Sequence, residues 1–236
     1  MAELLRIERL RAGYGEAVIL SDISLSVAEG EALALLGRNG TGKTTLINSI
    51  IGATRRFSGT LAFNGADITR SASDARARAG IGWVPQERNI FKSLTVEENL
   101  TACAMPGRWG LERLYTMFPR LKERRGNLGT QLSGGEQQML AVARALSLNP
   151  KLILLDEPLE GLAPIIVEEL LGALQAIVKG EGLSAIIVEQ SARKILPMTR
   201  RALVLDRGGI AYAGASADLT RDSAALERLL GVVGVH

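Results

Sequence analysis

The sequence lacks most of what would mark a secreted or membrane-embedded protein. It has one cysteine, Cys103, so no intrachain disulfide framework can form, which suits a reducing compartment. No apolar run approaches the roughly 18 residues of a membrane span. The start, Met1-Ala2-Glu3-Leu4-Leu5-Arg6, lacks the basic flank and long apolar core of a secretory leader, so a cytosolic protein is expected, reaching a membrane only through a partner. The net charge of +3 is too small to call for nucleic acid. Its basic residues (Arg55-Arg56, Arg76, Arg78, Arg120, Lys122, Arg124-Arg125) are spread out and form no single stripe. Internal repeats, low-complexity segments and a disordered tail are missing as well. The only histidine, His236, is expected to be a frayed end. At 236 residues, 47% hydrophobic and 22% charged, the chain can bury a sizeable core, with one domain or one core plus a subdomain.

The most informative stretch is Ala32-Leu33-Ala34-Leu35-Leu36 together with Gly37-Arg38-Asn39-Gly40-Thr41-Gly42-Lys43-Thr44-Thr45. An apolar run bounded by glycine predicts a buried parallel strand, and the glycine-rich segment after it fits the phosphate-loop pattern G-x-x-x-x-G-K-[ST]. Glycines let such a loop curl its N–H groups around a polyphosphate. Lys43 would reach the outer phosphates and the Thr44 hydroxyl would ligate Mg2+. A helix from about Lys43 through Ile51 would add the positive end of its dipole.

Upstream, Leu4–Leu10, Val18–Leu20 and Ile23–Val27 predict short strands broken by Gly13, Gly15 and Gly30. Tyr14 is either a surface turn residue or a platform for an adenine ring; aromatic stacking leaves no spacing signature to decide. Downstream, Ser58–Gly65 predicts a strand ended by an Asn-Gly turn, Ser73–Ala79 a helix and Ile81–Val84 a strand. Gln86 follows that strand's end, where ligands bind in doubly wound sheets; its amide suits Mg2+ ligation or water orientation, and a capped loop is the plainer reading. From Thr95 to about Leu128 the pattern becomes helical, with Glu98 at a capping-box position and breaks at Pro106-Gly107 and Pro119, which predicts a helical insert.

Leu132-Ser133-Gly134-Gly135-Glu136-Gln137-Gln138 then precedes an amphipathic stretch, Met139–Leu148. Ser133 can cap the helix, and Gly134 and Gly135 would leave unshielded N–H groups at its positive end, a second anion site without a lysine of its own. Two phosphate-seeking surfaces in one chain suggest that they meet across an interface. Lys151–Asp156 predicts a buried strand that ends in two acids, Asp156 and Glu157. Charges at such a tip are costly without cationic partners. Asp156 is placed to hold Mg2+, and Glu157 to deprotonate a water aimed at the terminal phosphate. The rest predicts a helix Pro164–Val178, a strand Leu183–Val188, a helix Ser191–Met198, a hairpin across Arg207-Gly208-Gly209 and a last helix Ser223–Leu230.

In that order and spacing, the phosphate loop, Gln86, Leu132-Ser133-Gly134-Gly135-Glu136 and Leu154-Leu155-Asp156-Glu157-Pro158 resemble the nucleotide-binding subunits of ABC transporters over nearly the whole chain. Gly37-Arg38-Asn39-Gly40, Phe91, Leu94–Leu100, Gly161-Leu162-Ala163-Pro164 and Val188-Glu189-Gln190 resemble, more narrowly, the LivF-type ATPase of branched-chain amino acid importers. The ATPase of urea and short-chain amide importers is similar, and a non-transport ABC ATPase is a further alternative.

The resemblance implies an α/β P-loop fold: a mixed sheet core with an N-terminal antiparallel β part and a helical subdomain insert. It implies one domain over 1–236, with 1–86 and 150–236 as core and 87–149 as the helical subdomain. Tyr14 and Gly37 through Thr45 would bind ATP, and Thr44, Gln86 and Asp156 would hold Mg2+. Lys43, Gln86, Glu157 and Gln190 would serve hydrolysis. Ser133, Gly134, Gly135 and Gln137 would face ATP on an opposite ATPase subunit. The implied partners are a related ATPase subunit, two membrane permeases and, indirectly, a periplasmic binding protein, with the chain peripheral on the cytoplasmic face of the inner membrane. Two positions depart from the family pattern, Ala163 where an Asp is usual and Gln190 where a His is usual. Ala163 accepts no side-chain hydrogen bond, and Gln190 has no positive form. An asymmetric heterodimer, with weak hydrolysis by the lone chain, is therefore expected.

Overall fold

Strand β1 (Glu3–Tyr14) turns at Gly15 into β2 (Ala17–Ala28), and the pair is antiparallel. The apolar run before the phosphate loop is β3 (Ala32–Leu36), buried at every position, and α1 (Lys43–Ile51) follows the loop. Next come β4 (Arg55–Phe63), β5 (Ala66–Asp67), α2 (Ser73–Ala79) and β6 (Ile81–Val84). Helices α3 (Val96–Thr101), α4 (Leu111–Met117), α5 (Pro119–Glu123) and α6 (Gly134–Ser147) lead to β7 (Leu152–Asp156). The chain continues through α7 (Pro164–Gln175), β8 (Ser184–Val188), α8 (Ala192–Ile195), β9 (Arg201–Asp206), β10 (Gly209–Ala215), α9 (Ser216–Arg221) and α10 (Ser223–Leu230). This computed structural model describes residues 2–231, so His236 lies outside the described residues. Among them, no helix is long and apolar enough to cross a membrane.

Two sheets result. One is four-stranded, β2-β1-β4-β5, and antiparallel; the other is six-stranded, β10-β9-β3-β8-β7-β6, parallel except for β10. Both faces of the larger sheet are covered, which is why β3, β7 and β8 read as continuous apolar runs. Side chains alternate across it. Leu33 and Leu35 pack with Leu46, Ile47 and Ile50 of α1 and with Leu5, Ile7 and Leu10 of β1. Ala34 and Leu36 pack on the other side with Met139 and Leu140 of α6 and Leu170 and Leu174 of α7. Each fully buried leucine contributes about 1.5–3 kcal/mol relative to exposure.

Several expectations need amendment. Gly13 does not break β1; it pairs with Val18 and Arg55 inside the strand, where Ala17 O approaches so closely that a Cβ would lie 1.9 Å away. Glycine here permits a close approach of backbones and does not end the strand. Pro119 opens α5 as its first residue, because a missing N–H costs nothing there. The helical region does not stop at Leu128: a 3-10 turn at Gly129–Gln131 carries it into α6. The helix beginning at Pro164 ends at Gln175 and widens into a π turn, Ala176–Gly180. The Ser191–Met198 segment is split between α8 and a 3-10 turn that contains Pro197. The β9–β10 turn holds only Arg207 and Gly208, since Gly209 pairs with Asp206.

These contacts give opposite outcomes for two glycines. Gly13→Ala is expected to destabilise the fold by about 1–3 kcal/mol through overpacking. Gly172→Ala, inside α7 with nothing within 4 Å of an added Cβ, is expected to stabilise it by about 0.5–1 kcal/mol. Urea unfolding midpoints check both, and a Gly13→Ala midpoint at or above the wild-type value contradicts the close-approach reading.

Candidate functional site

Strands β3, β8, β7 and β6 lie side by side and parallel, so their carboxyl ends deliver Gly37, Glu189-Gln190, Asp156-Glu157 and Pro85-Gln86 to one edge of the sheet. Ligands bind at that edge in open α/β sheets. Tyr14, Asn39, Gly40, Gly42, Lys43, Thr44 and Thr45 from one side and Gln86, Glu157, Glu160 and Gln190 from the other line a cleft of about 420 Å³.

In the phosphate loop, Gly40 and Gly42 take left-handed φ values of 79° and 106°. Thr41 is turned inward, its hydroxyl donating to Arg38 O at 2.8 Å. Gly42 starts α1 without a side-chain cap, so the first-turn N–H groups are left for an anion. The Lys43 ammonium is buried, donates to Gly37 O at 2.9 Å and Arg38 O at 3.0 Å, and lies 3.6 Å from Glu157 Oε1. Gly37 and Arg38 open onto an adjoining hollow shared with Asn39, Gln190 and Leu230.

Asp156 is 1% exposed, and its Oδ1 accepts from the Thr44 hydroxyl at 3.4 Å. Burial pushes its carboxyl up to about 6 and the neighbouring Glu157 charge adds to the rise, while the Thr44 bond and Lys43 oppose it. A hydroxyl beside a desolvated carboxylate is a hard-oxygen donor set that fits Mg2+, which takes one or two carboxylates and completes its shell with phosphate and water.

Glu157 has a left-handed backbone, φ 49°. Its N–H donates to Val188 O at 3.1 Å, and its carbonyl accepts from Glu160 N at 3.2 Å. Gln190 donates one of its two amide N–H groups to Glu157 Oε2 at 2.9 Å and lines the cleft beside it. The Gln86 amide nitrogen is bonded to Glu160. Tyr14 closes β1 with its ring 46% exposed on the cleft and its hydroxyl accepting from Asn48 at 2.8 Å. Ile19 lines the cleft beside it.

The Ser133 region lies apart, and none of Ser133, Gly134, Gly135 or Gln137 lines the cleft. Ser133 caps α6 as expected, with a reciprocal box: Oγ accepts from Glu136 N at 3.3 Å and Glu136 Oε2 from Ser133 N at 2.8 Å. Each glycine has a close neighbour on its Cβ side. Ile166 fills the space beside Gly135, 2.6 Å from where a Cβ would stand, and the Arg88 guanidinium lies 3.1 Å from the corresponding point on Gly134. The Gln137 amide nitrogen donates to Gly129 O and Leu132 O, both at 3.2 Å, and braces the preceding turn. Ala163 starts α7 with no side-chain cap bond.

Sequence reasoning missed Ile19, Arg88, Glu160 and Glu189. Glu189 is 5% exposed and accepts from Leu159 N at 2.9 Å. Burial pushes its carboxyl up to about 7, with the Leu159 N–H opposing and the Glu157 charge adding. A charged residue ending a buried apolar strand was the available signal.

The family model described as ABC transporter matches residues 20–160. The high-affinity branched-chain amino acid transport ATP-binding protein BraG of Pseudomonas aeruginosa is 37% identical, the match covering 97% of this chain and 100% of that protein. The lipopolysaccharide export system ATP-binding protein LptB of Haemophilus influenzae is 36% identical over 97% of each. Among solved structures, the ADP conformation of MJ1267, an ATP-binding cassette of an ABC transporter, superposes with a TM-score of 0.81 at 26% identity, covering 97% of each chain. Fold, strand-end chemistry and whole-length similarity agree: the chain belongs to the ATP-binding subunits of ABC transporters and is an ATPase coupled to transport.

Proposed function

We propose that this ATPase powers import of branched-chain or related hydrophobic amino acids. The likeness to BraG along that protein's full length carries the choice of cargo. Export of lipopolysaccharide is the second reading, favoured by the 36% identity to LptB.

The chemistry rests on the cleft. Loop N–H groups and Lys43 bind the outer phosphates of ATP, and Glu157 accepts a proton from the attacking water while Gln190 holds its carboxylate. Bound through Thr44, Asp156 and Gln86, Mg2+ would neutralise phosphate charge and stabilise the displacement. Tyr14 stacks on the adenine. Ser133, Gly134 and Gly135, with Arg88 beside them, complete the site of a second ATPase subunit, and Gln137 holds that surface in shape. Residues 1–86 and 150–236 act as the core, and 87–149 as the helical subdomain that docks a membrane permease on the cytoplasmic face. Gln190 and Ala163 favour a related chain, not a second copy, as the ATPase partner.

Lys43→Ala is expected to abolish tight MgATP binding, whereas Glu157→Gln keeps binding and loses about 10²-fold or more in turnover, read by nucleotide titration and phosphate release. Near-normal single-turnover hydrolysis by Glu157→Gln removes it as the base. Tyr14→Ala loses about 1–3 kcal/mol of ATP affinity and leaves inorganic triphosphate binding unchanged; equal losses for both ligands assign Tyr14 to loop position instead. Purified from its native membrane, the chain brings two permeases and a related ATPase, and turns ATP over faster with them than alone. The associated binding protein then shows a thermal shift with leucine. A shift with urea alone, or companions that carry lipopolysaccharide, overturns the cargo.

A further inference from the structure

Glu157 adopts a left-handed backbone conformation that a non-glycine residue takes only under restraint. Something must therefore over-determine the turn that bears it. β8 pairs in parallel with β7 up to Asp156 and Val188, so the residue after Val188 reaches across to the turn after Asp156. That residue is Glu189. Its Oε1 accepts the Leu159 N–H at 2.9 Å, two positions beyond Glu157, while Glu157 N–H is held by Val188 O. Glu189 is buried, does not line the cleft and has no ion-pair partner among the described residues. A buried carboxyl is costly even with the Leu159 and Gln190 N–H groups and the Lys194 charge offsetting part of its desolvation, so packing alone does not account for it. What it supplies to the turn is an acceptor oxygen, held within reach of the Leu159 N–H. Gln190, the next residue, bonds the Glu157 carboxylate itself.

We infer that Glu189 is a positioning residue for ATP hydrolysis: through the Leu159 amide it fixes the turn that aims Glu157. The inference rests on the reading of Glu157 as the general base. Glu189 shapes the backbone and Gln190 orients the side chain, so two successive residues at one strand end hold one acid from two directions.

The test uses the ATPase assembled with the companions that co-purify with it. Glu189→Ala is expected to lower kcat by about 10- to 100-fold, the scale of a misplaced reacting group, with KM for ATP within about twofold. Glu189→Gln, which keeps an acceptor oxygen at the same reach, restores most of the rate. Combined with Glu157→Gln, Glu189→Ala causes no further loss, because a residue acting only through another is silent once that other is gone. If Glu189→Ala does not fold, Glu189→Asp, which withdraws the oxygen by one methylene, takes its place with the same expectation. Unchanged kcat, the same fold-loss in the Glu157→Gln background, or a raised KM at constant kcat overturns the inference. Near-normal turnover by Glu157→Gln alone would instead remove the general-base reading, and the positioning role with it.

Discussion

The whole cleft depends on the parallel hydrogen-bonded register of β3, β8, β7 and β6. Each strand is too short and too apolar to place anything by itself. Paired, they end at one level, and residues far apart in the chain become neighbours. The Thr44–Asp156 contact spans 112 positions and the Gln86–Glu160 contact 74. Cover on both faces, by α1 and the antiparallel sheet on one side and α6 and α7 on the other, keeps water from those strands and fixes their ends.

Electrostatics at that edge is unbalanced by construction. Asp156, Glu157 and Glu189 are buried together, with the buried Lys43 beside Glu157 and the Lys194 charge acting on Glu189. Desolvation raises Asp156 and Glu189 above the usual carboxylate range, and the hydrogen bonds from Thr44 and the Leu159 amide only partly offset it. Such an arrangement favours whatever brings positive charge to Asp156 and phosphate to Lys43 in one step.

How far the sequence was legible depends on the range of each signal. The phosphate loop, the Ser133 and Thr95 capping boxes and the acid pair after an apolar run are written within a few consecutive residues, and each lies where spacing put it. Contacts set by register were not legible. Nothing near Glu189 names Leu159, nothing near Gly134 names Arg88, and Gly13 reads as a breaker unless the approach of Ala17 O is known. The bonds of the Gln137 amide to the preceding turn were hidden for a related reason: a motif marks which residues matter, but not which way an amide turns.

The meeting of Gly135 with Ile166 has a mechanical side. Ile166 belongs to the first turn of α7, which starts just beyond the turn that bears Glu157, while Gly135 lies in the first turn of α6. Two helices that open on opposite duties are thus spaced by the thickness of one absent methyl group. Close-packed hydrocarbon transmits displacement with little give, so a shift of the α7 start bears directly on the α6 start.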